Sequence, residues 1–146
     1  MKRIPTEEEW AGYEKDLDAK YAYKTFYGKT NEEMQPAFRK NVIERTDEIR
    51  FMPRGAFQYY IFGLRDYVIR QDFELYESSD AASCFIGLVL EKLRKEPESV
   101  QPIISELLPD LQFVAGNQNL YEADKDIYGD FTAMYQDIVR LSRTNA

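Results

Sequence analysis

The acidic run near the C-terminal end of the chain is the first place where residue types and spacing could do chemistry. Asp124, Asp126 and Gly129 stand at the first, third and sixth positions of a partial match to a calcium-binding EF-hand loop. The fifth position, however, is Tyr128, and the twelfth, which needs a bidentate glutamate, is Tyr135. Because two ligands are missing, we expect no metal here and interpret the acids as favourable charges at a helix N-terminus.

Catalysis by the common side-chain pairings is also not indicated. The chain contains no histidine, so neither a Ser–His–Asp nor a Cys–His pair can form within it. Its only cysteine, Cys84, lies in an apolar run, which is typical of a core thiol. Glu106 and Asp110 are four residues apart and would share a helical face, as ordinary surface charges do. We therefore predict no catalytic residue, no cofactor and no enzymatic activity.

The charge of the chain is unevenly distributed. The formal net charge is −7; residues 71–146 carry six basic and fourteen acidic side chains, whereas residues 39–70 carry seven basic and four acidic ones. An acidic half repels phosphate backbones and suits a basic partner. Nucleic-acid binding by the basic segment, where arginines alternate with tyrosines, remains a weaker alternative. We expect a protein partner and no nucleic acid.

Length and composition indicate one soluble domain. A chain of 146 residues with 44% hydrophobic residues can bury a core without disulfides. No apolar run approaches the roughly 20 residues that span a membrane, and the N-terminus lacks the apolar segment of a signal peptide. We therefore expect a single domain over 1–146, located in the cytoplasm and without membrane contact.

Helical periodicity dominates the first half of the chain. Thr6–Glu9 and Thr30–Glu33 are capping boxes that should open two helices. The first helix should run to Tyr27 and the second should begin at Thr30, whereas Thr46–Met52 should be a loop or a short extended segment. Pro53 should open a third helix with the clearest amphipathic pattern. The expected inward residues are, in the first helix, Trp10, Tyr13, Leu17 and Tyr21; in the second, Met34, Phe38, Val42 and Ile43; and in the third, Phe57, Tyr60, Ile61, Leu64, Tyr67 and Val68.

Three more helices are predicted in the second half. Ser78–Asp80 should cap a fourth helix, over 81–95, whose apolar residues cover nearly its whole circumference, so it should be central. A fifth should follow Ser99, with a kink or break at Pro109. A sixth, from near Asp124, should bury Ile127, Phe131, Met134, Tyr135, Ile138 and Leu141. The fold prediction is all-α: an irregular or orthogonal bundle of about six helices.

Gly63 and Gly87 interrupt the third and fourth helices, where glycine costs roughly 1 kcal/mol relative to alanine. A close approach of another helix to each glycine would explain them. A small-ligand cavity beside them is the alternative.

The segment Met52–Tyr60 resembles one in small uncharacterised bacterial helical proteins, where a proline, an Ala-Phe pair and paired aromatics open a central helix. In size, acidity and lack of catalytic residues the chain also resembles bacterial immunity proteins. That resemblance implies a protein that blocks a cognate toxin by binding it.

These observations favour an interaction protein, most concretely an immunity- or antitoxin-like inhibitor that binds a basic partner. Two alternatives remain open: a structural or homo-oligomeric scaffold protein, and a small-ligand-binding helical protein. The predicted partner-binding residues are Tyr121, Glu122, Asp124, Asp126 and Asp130.

Overall fold

The computed structural model describes residues 3–74 and 76–144, and these form helices joined by turns, which confirms the all-α prediction. Met1, Lys2, Leu75, Asn145 and Ala146, all part of the predicted 1–146 domain, lie outside the described residues. Nine α-helices occur in the described ranges, so the predicted number of six is wrong. They are α1 (Leu17–Phe26), α2 (Gln35–Lys40), α3 (Val42–Arg50), α4 (Arg54–Arg70), α5 (Ser78–Lys95), α6 (Pro97–Val100), α7 (Ile104–Gly116), α8 (Lys125–Tyr128) and α9 (Phe131–Thr144).

The N-terminal segment is not one continuous helix. The capping box is present, since the Thr6 amide donates to Glu9 Oε1 at 2.9 Å and the Glu9 amide donates to Thr6 Oγ1 at 3.3 Å. It opens only a 3₁₀ turn, because Gly12 takes a left-handed φ of 95° that stops the helix. When α1 begins at Leu17, the helical phase has changed. Leu17 and Tyr21, predicted to face inward, are therefore exposed.

The second capping box, between Thr30 and Glu33, also forms, although regular helix begins only at Gln35. The predicted loop over Thr46–Met52 is wrong, because most of it belongs to α3. Asn41 caps that helix through a 3.1 Å hydrogen bond from the Glu44 amide to Asn41 Oδ1.

Although most residues of α3 are charged or polar, one short stripe of the helix faces the core. Its buried members are Val42, Thr46 and Ile49, which face the core. Ile43, predicted to face inward, is exposed.

The core is centred on α4 and α5. All six residues predicted to face inward from α4 are buried, and α5 packs against α3, α4, α6, α7 and α9, as expected for the central helix. Ser78–Asp80 form the first turn of α5 but do not cap it with their side chains. Tyr60 anchors α4 to the chain that follows α1, because its hydroxyl lies 2.8 Å from the Phe26 carbonyl oxygen and 2.6 Å from that of Lys29.

Two further boundaries differ from the predictions. Pro109 lies inside α7 without a break, and the interruption comes earlier, between α6 and α7. The carbonyl that would have bonded to its missing amide belongs to exposed Ser105, where water can replace the bond. The predicted last helix is divided by Gly129, whose φ is 85°, into α8 and α9.

This division turns Ile127 outward, so its predicted burial is wrong. Phe131 and Ile138 are buried in α9 as predicted, and Met134, Tyr135 and Leu141 pack partly buried against the core.

The two helix-interior glycines have different surroundings. A Cβ at Gly63 would overlap Asn31 Oδ1 and lie 2.9 Å from Asn31 Cγ, so a close approach does explain this glycine, although the neighbour belongs to the turn before α2. At Gly87 a Cβ would meet nothing within 4 Å, so no close packing requires glycine there.

In the described part of the chain, no helix combines the length and the apolar character needed to cross a membrane.

Candidate functional site

The four acids predicted to contact a partner all lie on the surface. Glu122, Asp124, Asp126 and Asp130 are exposed, and none forms an ion pair with another described residue. We call these four residues the acidic face. Asp124 and Asp130 also cap α8 and α9: Asp124 Oδ1 accepts from the Asp126 amide at 2.8 Å, and Asp130 Oδ1 accepts from the Thr132 amide at 3.0 Å. Asp124 and Asp130 therefore cap helices, as the sequence predicted, and still expose their charge to solvent.

Exposed apolar side chains accompany these acids. Tyr76 and Leu120 line an open depression of about 590 Å³ together with Glu122. Tyr76 is 87% exposed and Leu120 52%, while Ile127, next to Asp126 on α8, is 74% exposed. Large apolar groups that stay in water beside charged ones are typical of surfaces that bind other proteins.

The same depression is lined by residues with strained backbone conformations. Gln71, Tyr76 and Glu122 have φ values of 59°, 68° and 56°, and they are the non-glycine residues with left-handed backbone among those the structure describes. All three line the depression. Such conformations cost on the order of 1 kcal/mol or more each and persist only where the surroundings impose them.

Tyr121, the fifth predicted contact residue, is in a different position. Its side chain is fully buried, so it cannot touch a partner in this conformation. Its hydroxyl donates to the Val68 carbonyl oxygen at 3.1 Å, and its ring packs edge-on against Phe73 and Phe113. Burial raises the pKa of Tyr121 to about 12. Tyr121 therefore anchors the segment that carries the acids to the end of α4.

Gln118 holds the acidic segment from beneath. Its side chain is buried, and its Nε2 donates to the carbonyl oxygens of Ala123 at 2.9 Å and Gly129 at 2.8 Å. Its Oε1 accepts from the Phe131 amide at 2.9 Å. One side chain thus joins both ends of the turn that contains α8, which limits the motion of the acids above it.

Tyr128 and the start of α5 complete this support. The Tyr128 hydroxyl donates to Asp80 Oδ1 at 2.9 Å and accepts from Ser79 Oγ at 3.1 Å. Ser78 Oγ donates to the Tyr121 carbonyl oxygen at 2.9 Å. Sequence reasoning missed these roles of Gln118 and Tyr128, because their partners are 5 to 49 residues away along the chain and no spacing pattern marks them.

The basic middle segment does not present comparable free charge. Each of its six arginines forms an ion pair with a carboxylate; examples are Arg45 with Glu48 at 2.6 Å and Arg70 with Glu32 at 2.8 Å. Among the described cations of this segment, Lys40 alone forms no ion pair. The other paired arginines are Arg39, Arg50, Arg54 and Arg65. This pairing reduces the positive field on which the nucleic-acid alternative depended.

Groups suited to metal binding or nucleophilic chemistry are not assembled in the described ranges. No cluster of three or more His, Cys, Asp or Glu side chains there could hold a metal ion. Burial raises the pKa of the Cys84 thiol, which disfavours the reactive thiolate. Glu106 and Asp110 lie on α7, and Asp110 pairs with Arg65 at 3.3 Å.

A scan against protein-family models found no match, and searches of curated proteins and of solved structures found none either.

Proposed function

We propose that this chain is a protein-interaction module that binds a basic partner through the acidic face, and most concretely an inhibitor of the immunity or antitoxin type. Such an inhibitor would lay its carboxylates over a cationic active site of its target. With a single cysteine and no disulfide to maintain, it would work in a reducing compartment such as the cytoplasm.

The observation that supports this proposal is the contrast between two sets of charges. The carboxylates of the acidic face are exposed without ion pairs, whereas the six arginines of residues 39–70 are all paired within the chain. Unpaired surface charge extends its field into solvent, where it accelerates the encounter with an oppositely charged protein. Tyr76, Leu120 and Ile127 would then supply the apolar contact that slows dissociation.

A charge-reversal pair tests the proposal. Glu122 and Asp126 are exposed and make no side-chain hydrogen bond with a described residue, so Glu122→Lys with Asp126→Lys should leave the fold intact. The tagged protein is used to capture its partner from the native host, and association is then measured at low and at physiological salt. We expect the double variant to associate at least about tenfold more slowly at low salt and with a flatter salt dependence.

A matched control makes the same change in net charge elsewhere. Glu8 and Glu14 are also exposed and unpaired among the described residues, and their segment packs on the first turn of α4, where a Cβ at Gly55 would lie 2.9 Å from Glu9 Cβ. Tyr121 instead contacts Val68, thirteen residues or about 20 Å further along α4. Glu8→Lys with Glu14→Lys should keep most of the association rate. Equal rates for both double variants would remove the acidic face as the binding surface.

A homo-oligomeric scaffold is the second candidate, and one observation favours it. Leu17 and Tyr21 are exposed one turn apart on α1, and Tyr21 lines a shallow depression with Phe51, which is also exposed. A second copy of the chain would cover these three exposed apolar side chains, which lie beside the carboxylates of Asp18 and Glu44. Light scattering at high protein concentration decides the matter: a stable dimer that Tyr21→Lys dissociates would support the scaffold, and a monomer would eliminate it.

A further inference from the structure

A second concave surface lies between α2, the end of α4 and the chain that follows α4, and it shares Glu74 with the depression beside the acidic face. It is a groove of about 600 Å³, within the range of small-molecule sites. Basic side chains come from the helices and acidic ones mainly from the segment after α4. The lining residues used below are Glu32, Arg39, Lys40, Tyr67, Arg70 and Glu77, together with the loop acids Asp72 and Glu74.

The floor of this groove contains a hydroxyl with no partner. Tyr67 is only 3% exposed, and its hydroxyl makes no hydrogen bond with any described residue. Tyr67 lines the groove together with Glu77, Arg39, Asp72 and Glu74, so its unpaired hydroxyl belongs to a residue of the groove wall. A buried hydroxyl without a partner costs about 1–3 kcal/mol, a cost that a ligand could remove.

A carboxylate oxygen of another residue that lines the groove also lacks a hydrogen-bond partner. Glu77 Oε2 is buried and has no hydrogen-bond partner among the described residues. Burial is the main cause that raises the pKa of both the Glu77 carboxyl and the Tyr67 hydroxyl. The lining of the groove thus contains both an unpaired acceptor and an unpaired hydroxyl.

Most other charges in the groove neutralise one another. Arg39 pairs with Glu74 at 3.2 Å and with Asp72 at 3.7 Å, and Arg70 pairs with Glu32 at 2.8 Å. Within the described part of the chain, this leaves one cation, Lys40, and one carboxylate, Glu77, without an ion pair. One unpaired charge of each sign, in a groove that also contains an unpaired hydroxyl, is complementary to a small molecule that carries both an ammonium and a carboxylate.

We propose that this groove binds a small zwitterion of the α-amino-acid class. The ammonium of the ligand pairs with Glu77, and the carboxylate of the ligand faces Lys40. The Tyr67 hydroxyl donates a hydrogen bond to a ligand oxygen. Binding is by ion pairs and hydrogen bonds alone, with no covalent step. This site is independent of the acidic face and of the partner protein proposed above.

The test uses the full chain, labelled with ¹⁵N, and titrates it with the standard α-amino acids. Acetate and methylammonium, which carry the two charges on separate molecules, serve as ligand controls. We expect at least one amino acid to bind with a dissociation constant below about 1 mM and to shift the amide resonances of residues 37–40, 67–74, 76 and 77. Acetate and methylammonium should bind at least about tenfold more weakly, because each lacks one of the two charges.

Two variants and their controls separate the site from other effects. Tyr67→Phe and Glu77→Gln should each weaken binding about fivefold or more, since each removes one interaction with the ligand. Tyr76→Phe and Glu122→Gln make the same chemical changes at exposed positions outside the groove lining and should leave the affinity unchanged. The proposal is overturned if no amino acid binds, if acetate or methylammonium binds as well as the amino acid, or if neither groove variant weakens binding.

Discussion

At the scale of single residues, the hydroxyls of the buried tyrosines divide into those that hydrogen-bond to other segments of the chain and one, that of Tyr67, that has no described partner. Tyr60 and Tyr121 are buried, and their hydroxyls contact backbone carbonyl oxygens of other elements. Tyr67 is equally buried but its hydroxyl has no described partner. Sequence periodicity placed Tyr60 and Tyr67 correctly in the core, yet it could not distinguish their hydroxyls, since hydrogen bonding depends on neighbours from distant segments.

This difference predicts unequal effects of the same substitution on stability. Tyr60→Phe removes a hydroxyl that satisfies backbone carbonyls, so we expect it to lower the free energy of unfolding by about 1.5 kcal/mol. Tyr67→Phe removes a hydroxyl without a protein partner, so stability should stay within about 0.5 kcal/mol or rise. Urea unfolding of both variants measures this. A loss at Tyr67 as large as that at Tyr60 would show that its hydroxyl has a structural partner.

At the scale of elements, glycines decide where several helices stop. Gly12 and Gly129 adopt left-handed backbone and divide what periodicity alone presents as continuous helices. Each break also changes the helical phase between the residues on its two sides, which is why Leu17, after Gly12, and Ile127, before Gly129, are exposed. A periodic pattern shows which residues could share a face, but the phase is lost wherever the backbone leaves the helical region.

The two helix-interior glycines give a matched pair of predictions. Gly87→Ala adds a methyl group to open space and should raise the free energy of unfolding by up to about 1 kcal/mol, from helix propensity. Gly63→Ala would force Asn31 away from α4, where Asn31 Nδ2 donates to the Tyr59 carbonyl oxygen at 2.9 Å. We expect it to lower that free energy by about 2 kcal/mol.

Denaturant unfolding of the two alanine variants beside the wild type measures both effects. If Gly63→Ala proves as stable as the wild type, the close approach of Asn31 is not a structural constraint. If Gly87→Ala is destabilising, that position has a neighbour absent from this structure.

At the scale of the whole molecule, burial is concentrated in the two long helices and falls toward the N-terminal turns and α8. Ten residues of α4 and nine of α5 are buried, whereas the second 3₁₀ turn, Tyr13–Lys15, and α8 contain none. Elements with few buried contacts open locally at low free energy, while central ones open only when the molecule unfolds.

Hydrogen exchange should follow this distribution. We expect the amides of α4 and α5 to exchange most slowly and those of Tyr13–Lys15 to exchange first. The turn that contains α8 is a specific case, because Gln118 bonds to both of its ends and should slow exchange of the Phe131 amide. Mass spectrometry or NMR after transfer to deuterated water gives these rates. Fast exchange throughout α5 would contradict its central position.

The sequence by itself determined the helical class, both capping boxes, the start of α4 at Pro53 and the six inward residues of that helix. These features depend on residues within a turn or two of one another, so local spacing contains the information. It also identified the exposed acids near the C-terminal end, because charged side chains rarely lose their contact with water.

Only the tertiary structure decided which charges remain free and which hydroxyls remain unsatisfied. The arginines of residues 39–70 are neutralised in part by carboxylates far along the chain, as Arg50 is by Glu91 at 3.0 Å. Tyr121 is withdrawn from the surface by a hydrogen bond to Val68, and the groove around Tyr67 forms only where α2 meets the end of α4. Pairing, burial and concavity arise from segments that meet in space, and no spacing within one segment encodes them.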